Sequence, residues 1–67
     1  MEALSDRERD VLSLMAQGMS NAALADALHL SLKTIESYVS SIFVKLGLAQ
    51  DSREHRRVLA VLTFLRA

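Results

Sequence analysis

Apolar residues return along the chain at three- and four-residue intervals, and serines and glycines interrupt them. Leu4, Val11, Leu14 and Met15 fall on one face of a first helix, with Leu12 at its edge. Ser5 and Glu8 precede that run with capping-box spacing. The serine oxygen accepts from the Glu8 amide, and the Glu8 carboxylate accepts from the Ser5 amide. Gly18 predicts the stop, because glycine takes positive φ readily. Ser20 caps a second helix whose inner face is Leu24, Ala25 and Leu28, ending near Leu28 or His29. Its small residues Ala22, Ala23, Ala25 and Ala27 let a neighbour approach closely. Ser31 caps a third, with Ile35, Val39, Ile42 and Leu46 along one side and Phe43 beside them. Gly47 closes it, and Leu48 folds back onto the last turn. A loop from Ala49 to Ser52 leads into a fourth helix, capped by Asp51 or Ser52 and running to about Leu65. The pattern predicts helices over 5–17, 20–28, 31–46 and 52–65. That is an all-α, four-helix bundle, in one domain over 1–67.

His29, Leu30 and the cap Ser31 are all that separates the second helix from the third. A connection so short fits a helix-turn-helix, in which the later helix is held out toward a major groove. Ordinary helical hairpins share the spacing. At about 100° per residue, Lys33, Ser37, Ser40, Ser41 and Val44 fall opposite the apolar side of the third helix. Thr34 and Glu36 stand at the margins. This outer face is short and polar, which suits a helix that sits deep in a groove about 12 Å wide. It equally suits a solvated surface.

Composition narrows the class. The chain has 67 residues, no cysteine and no proline, and its two glycines are Gly18 and Gly47. Disulfides and thiolate metal sites are excluded. No apolar run is long enough to span a bilayer, so the default expectation is a cytoplasmic protein without a membrane partner. Formal net charge is zero, yet it is unevenly spread. Residues 1–30 hold two basic against five acidic residues; residues 31–67 hold six against three. The C-terminal half could face an anion, although charge alone fits a solvated surface just as well.

LSDRERDVLSLMAQGMSN, ALADALHLS and KTIESYVSSIFVKLGL together resemble the LuxR-type helix-turn-helix domain, the output domain of NarL-like response regulators. Leu4 to Asn21 meets the family's opening pattern almost fully, and Ser31 to Gly47 meets its later one. The tail HRRVLAVLTFL resembles the last helix of a response-regulator subset. Sigma-factor C-terminal domains share the helix-turn-helix but usually lack the K-L-G ending and the fourth helix.

The resemblance implies a transcriptional regulator of a two-component system, with the third helix in the major groove of double-stranded DNA. Base-facing positions then fall on Glu36, Ser37 and Ser40. Backbone-facing positions fall on Asn21, Ser31, Lys33, Thr34, Tyr38 and Lys45. Hydroxyls, lysine amines and helix N-terminal amides donate to phosphate, and Glu36 could accept from a cytosine N4 amine. Two departures stand out. Family members often carry Lys or Arg where this chain has Ser37 and Ser40, and His where it has Tyr38. Each missing phosphate contact removes about one counterion of salt dependence, so an isolated monomer is expected to bind weakly and a dimer on two half-sites more tightly.

The fourth helix bears on that dimer. Val58, Val61, Leu62 and Leu65 lie on one side, and Leu59 and Phe64 widen the arc. A stripe of about 100° suffices for one core, so the surplus points to a second contact or to a wide core helix. Family use places the homodimer interface on Arg57, Val58, Val61, Phe64 and Leu65. Arg53, Arg56 and Arg57 could touch DNA backbone, a receiver domain or only solvent. A receiver domain and RNA polymerase are the further partners the resemblance admits. The segment is then either the output piece of a longer regulator or a free-standing small one.

No enzyme is expected. His29 and His55 stand apart without ligands at metal spacing, there is no glycine-rich phosphate loop, and no cofactor is implied. The remaining rival is a protein-interaction module with little DNA affinity, acting through its fourth helix.

Overall fold

Three of the four helices begin on a serine in extended backbone, and the side chains do what the spacing predicts. Ser5 Oγ accepts from Glu8 N at 3.2 Å, Ser20 Oγ from Ala23 N at 3.2 Å and Ser31 Oγ from Thr34 N at 3.1 Å. The structure is a computed structural model that describes residues 4–48 and 53–66. Those residues form α1 (Asp6–Ala16), α2 (Asn21–Leu28), α3 (Leu32–Lys45) and α4 (Arg53–Arg66), with no strand among them. The expected cap of the fourth helix, Asp51 or Ser52, lies outside the described residues.

Helices α1, α2 and α3 end in one way. A residue in left-handed backbone turns the chain, and the next amide reaches back five residues. Gly18 (φ 90°), His29 (φ 56°) and Gly47 (φ 75°) are the turning residues. Met19 N donates to Leu14 O, Leu30 N to Ala25 O and Leu48 N to Phe43 O. This is the Schellman arrangement, which satisfies carbonyls that the helix leaves open. His29 holds a conformation that glycine would take with less strain.

The shared core is Val11, Leu12 and Met15 from α1, Leu24 from α2, Ile35, Val39, Ile42 and Phe43 from α3, and Ala60 from α4. One expectation is corrected. Leu12 is fully inside rather than at the edge, whereas Leu14 is only partly buried, because α1 packs against both α3 and α4 and its inner face is broad. The apolar arc of α4 does not face the core as a unit. Ala60 is buried and Val61 and Phe64 partly so, while Val58, Leu62 and Leu65 remain 57%, 38% and 64% exposed.

Among the described residues, one charged side chain is locked inside. Glu8 is 3% exposed, and its carboxylate takes three donors. Oε1 accepts from Ser5 N and from Lys45 Nζ, each at 2.8 Å, and Oε2 accepts from the Ser41 hydroxyl. A wheel sets Ser41 on the outer face of α3; instead α1 covers that flank, and Glu8 is the group that draws the hydroxyl in. Lys45 first, then Ser41 and the Ser5 amide, holds the Glu8 carboxyl at about 2, against an ordinary value of 4.5, and outweighs the opposing effect of burial. The clamp fixes the C-terminal end of α3 to the first turn of α1.

A carboxylate with a lowered folded pKa favours the fold only while ionised. Its contribution is complete above pH 4.5 and drains as pH falls toward about 2. At neutral pH, Glu8→Gln should therefore cost about 2–3 kcal/mol in urea unfolding. The wild-type stability should fall more steeply than the variant's between about pH 5 and pH 2; parallel pH profiles would remove Glu8 from this role.

Candidate nucleic-acid interface

Helix α3 is buried along Ile35, Val39, Ile42 and Phe43 and open on its far side. Lys33, Glu36, Ser37 and Ser40 are all exposed, so the two serines that a groove would have to reach are not covered by the protein's own chain. Thr34 and Tyr38 are half-buried, and Tyr38 packs against the core.

Ser31 and Thr34 are coupled at the start of α3. The Ser31 hydroxyl donates to Thr34 Oγ1 at 2.9 Å while its oxygen accepts the Thr34 amide. The two hydroxyls are thereby tied to each other at the first turn of the helix. Lys45 stands apart from this end. Its ammonium is spent on Glu8, on the α1 flank of α3.

Three expected site residues, Asn21, Glu36 and Ser40, meet in one cleft of about 180 Å³ with Val39, Phe43, Arg56 and Arg57. Arg56 lies over the Phe43 ring, 5.1 Å from its centroid. Arg57 donates from Nη1 to Asn21 Oδ1 at 2.9 Å and from Nη2 to the Met19 carbonyl at 2.6 Å. Burial pushes its pKa down, yet a guanidinium stays protonated in any ordinary solution. The head group of Arg57 is thus turned onto the start of α2 rather than outward from α4. A second hollow, apolar and open, lies between α1 and α4, lined by Met15, Ala16, Gly18, Val58, Val61 and Leu62, with Arg57 at its border.

Comparison with known proteins decides the family. Residues 2–62 match the GerE family model, described as bacterial regulatory proteins of the luxR family. The chain belongs to the luxR family. Among its relatives, the DNA-binding transcriptional activator DevR/DosR of Mycobacterium tuberculosis is 40% identical over 53 residues, covering 79% of this chain and 24% of that protein. A putative transcriptional regulator of Pseudomonas aeruginosa is 42% identical over 64 residues, covering 87% of this chain and 31% of that one. The response regulator protein VraR of Staphylococcus aureus is 44% identical over 45 residues, 67% of this chain and 22% of VraR. The chain therefore spans less than a third of the length of these relatives.

In this luxR-family domain, two features of the site escaped the periodicity. One is the capture of Lys45 and Ser41 by Glu8, and the other is the fork of Arg57 onto Asn21 and Met19. The capping-box spacing flagged Glu8, but nothing in the spacing of charges pointed 37 residues on to Lys45. No helix of the described residues is long and apolar enough to cross a membrane.

The Ser31 cap sets where α3 begins and hence the register of its outer face. Ser31→Ala should cost about 1 kcal/mol in urea unfolding, and Ser31→Asp should restore most of it. Equal stability of Ser31→Ala and wild type would show that the cap does not hold the helix start.

Proposed function

We propose that this domain binds double-stranded DNA in a sequence-dependent way and serves as the output piece of a transcriptional response regulator. Helix α3 lies in the major groove. Glu36, Ser37 and Ser40 face base edges. Asn21, Ser31, Lys33, Thr34 and Tyr38 stand toward the backbone, with Lys45 at the far end of the helix. The reading is carried by one observation: the outer side of α3 from Lys33 to Ser40 is polar and exposed, in a domain of a DNA-regulatory family. Such a face enters a groove about 12 Å wide without a steric penalty.

The proposed dimer joins two copies through α4. Val58, Leu62 and Leu65 leave apolar surface in water beside the half-buried Val61 and Phe64, and a second α4 would cover it. The Arg57 guanidinium, held by α2, would contribute its stem to that interface rather than its charge. A dimer also compensates for the modest cation count of one α3, where Lys33 is the exposed base and Lys45 is paired. A receiver domain, RNA polymerase and residence in the bacterial cytoplasm, at the nucleoid when bound, complete the proposal.

The same modest charge favours a second reading, a protein-interaction module with little DNA affinity. Salt separates the two. Binding to DNA weakens steeply as salt rises, whereas apolar helix pairing scarcely responds.

Selection of duplexes from a random pool tests the face directly. Lys33→Ala should weaken recovery of every sequence alike and reduce the logarithmic salt slope by about 0.9. Glu36→Ala should change which bases are preferred. If neither substitution alters recovery, the assigned face is wrong. For the dimer, Val58→Glu should leave the circular dichroism spectrum intact and abolish cooperative binding to paired half-sites. Unchanged cooperativity would move the interface away from α4.

A further inference from the structure

Arg57 makes a two-point polar link between α4 and the segment that opens α2. Its two contacts, to Asn21 Oδ1 and to the Met19 carbonyl, span 36 and 38 residues of sequence. Met19 lies in the turn that closes α1, and Asn21 is the first residue of α2. The guanidinium therefore grips the α1–α2 connection at two points with one rigid fork.

The chemistry of that fork has a directional result. A guanidinium carries donors and no acceptor, so only the oxygen of the Asn21 amide can face it. The Nδ2 amine must then point the other way. Without that partner the terminal torsion of an asparagine is broad and roughly two-fold. Many of its orientations would turn a carbonyl oxygen, rather than a donor, toward a phosphate. Asn21 also lines the cleft that holds Glu36 and Ser40 from α3, so the orientation is set at the edge of the reading face.

We propose that Arg57 is a positioning residue for DNA: it presets the Asn21 amide as a donor to the phosphate backbone and holds the start of α2 in register with α3. The inference rests on the reading that Asn21 meets the DNA backbone. It gives the Arg57 head group a role at the DNA face, acting through Asn21 and not by touching phosphate itself, while the stem stays beside the α4 contact. Arg57→Lys keeps the charge but lacks the fork, and Asn21→Asp keeps the oxygen for Arg57 while losing the amine.

The test is a double-mutant cycle on DNA affinity, by fluorescence anisotropy on a duplex selected by the wild type. Every variant is measured where circular dichroism and urea unfolding show it folded. Arg57→Ala and Arg57→Lys should each weaken binding about three- to tenfold, the effect of one lost or misdirected hydrogen bond. That loss should largely vanish in the Asn21→Ala background, and the salt slope should stay the same for Arg57→Lys. Asn21→Asp should unfold like the wild type yet bind at least as poorly as Asn21→Ala. Should Arg57→Ala fail to fold, Arg57→Lys carries the cycle. An equal loss with and without the Asn21 amide would make Arg57 a fold staple only and overturn the inference while leaving the DNA reading intact. A salt slope that falls by about 0.9 in Arg57→Ala, with no coupling to Asn21, would mean a direct phosphate contact and overturn it likewise. If wild type and all variants ignore every duplex, the DNA reading itself falls, and the inference with it.

Discussion

The orientation of α3 depends on a buried carboxylate. Glu8 sits in the first turn of α1 and completes the capping box with Ser5, which by itself is a local event. The same carboxylate also takes Lys45 and Ser41 from the last turns of α3. Burying an unpaired carboxylate is costly, so once α1 folds Glu8 inward, α3 must arrive with its donors in place. That requirement is directional in a way that apolar packing is not. Ile35, Val39, Ile42 and Phe43 could tolerate small rotations of α3 about its axis, but the two donors that α3 brings to one carboxylate could not. The rotation fixed in this way is the one that leaves Ser37 and Ser40 in solvent.

The clamp also explains how the charge is distributed. The sequence is acidic in its first half and basic in its second, and the Glu8–Lys45 pair joins the two across the core. Lys45 is thereby removed from the pool of cations available to an anionic partner. Among the described side chains, the cations that accompany the exposed face of α3 are Lys33 on the helix itself and Arg56 and Arg57 at the cleft. Arg56 rests on Phe43 and Arg57 holds α2, so both are anchored rather than swinging. An anchored cation contributes less by long-range reach and more by defining where the backbone donors stand.

Much of the fold was legible because it rests on local chemistry. Ser5, Ser20 and Ser31 announce helix starts by a hydrogen bond spanning three residues, and Gly18 and Gly47 announce stops by a backbone angle. His29 carries no comparable signal, since a histidine in left-handed backbone is tolerated rather than favoured, and the stop there was legible only from the cap that follows. The site was legible in part. Helical periodicity separates the inner residues of α3 from Lys33, Ser37 and Ser40, because those differ by large angles around the axis. Ser41 lies as far from the apolar side by angle as Ser40 does, so periodicity places it outward; the neighbour overrides the angle, and the neighbour is Glu8. For Arg57 the limit is different. Its backbone position on α4 is readable, but a long side chain chooses its partner after the helices have packed, and the choice of Asn21 lies 36 residues away.

Helix α4 shows how one short element meets several demands. Ala60 lets the helix approach the core closely, and Val61 and Phe64 fill the space beside it. Val58, Leu62 and Leu65, spaced four and three residues apart, form a second line that the chain does not cover. Arg57 stands between these two lines and sends its head group to α2. Arg57 comes one residue before Val58, so the outer line of α4 begins beside the residue that grips the α1–α2 connection. The outer line of α4 and the connection that opens α2 are thus joined through one side chain, because Arg57 stands next to Val58 in the chain and bonds both Asn21 and Met19.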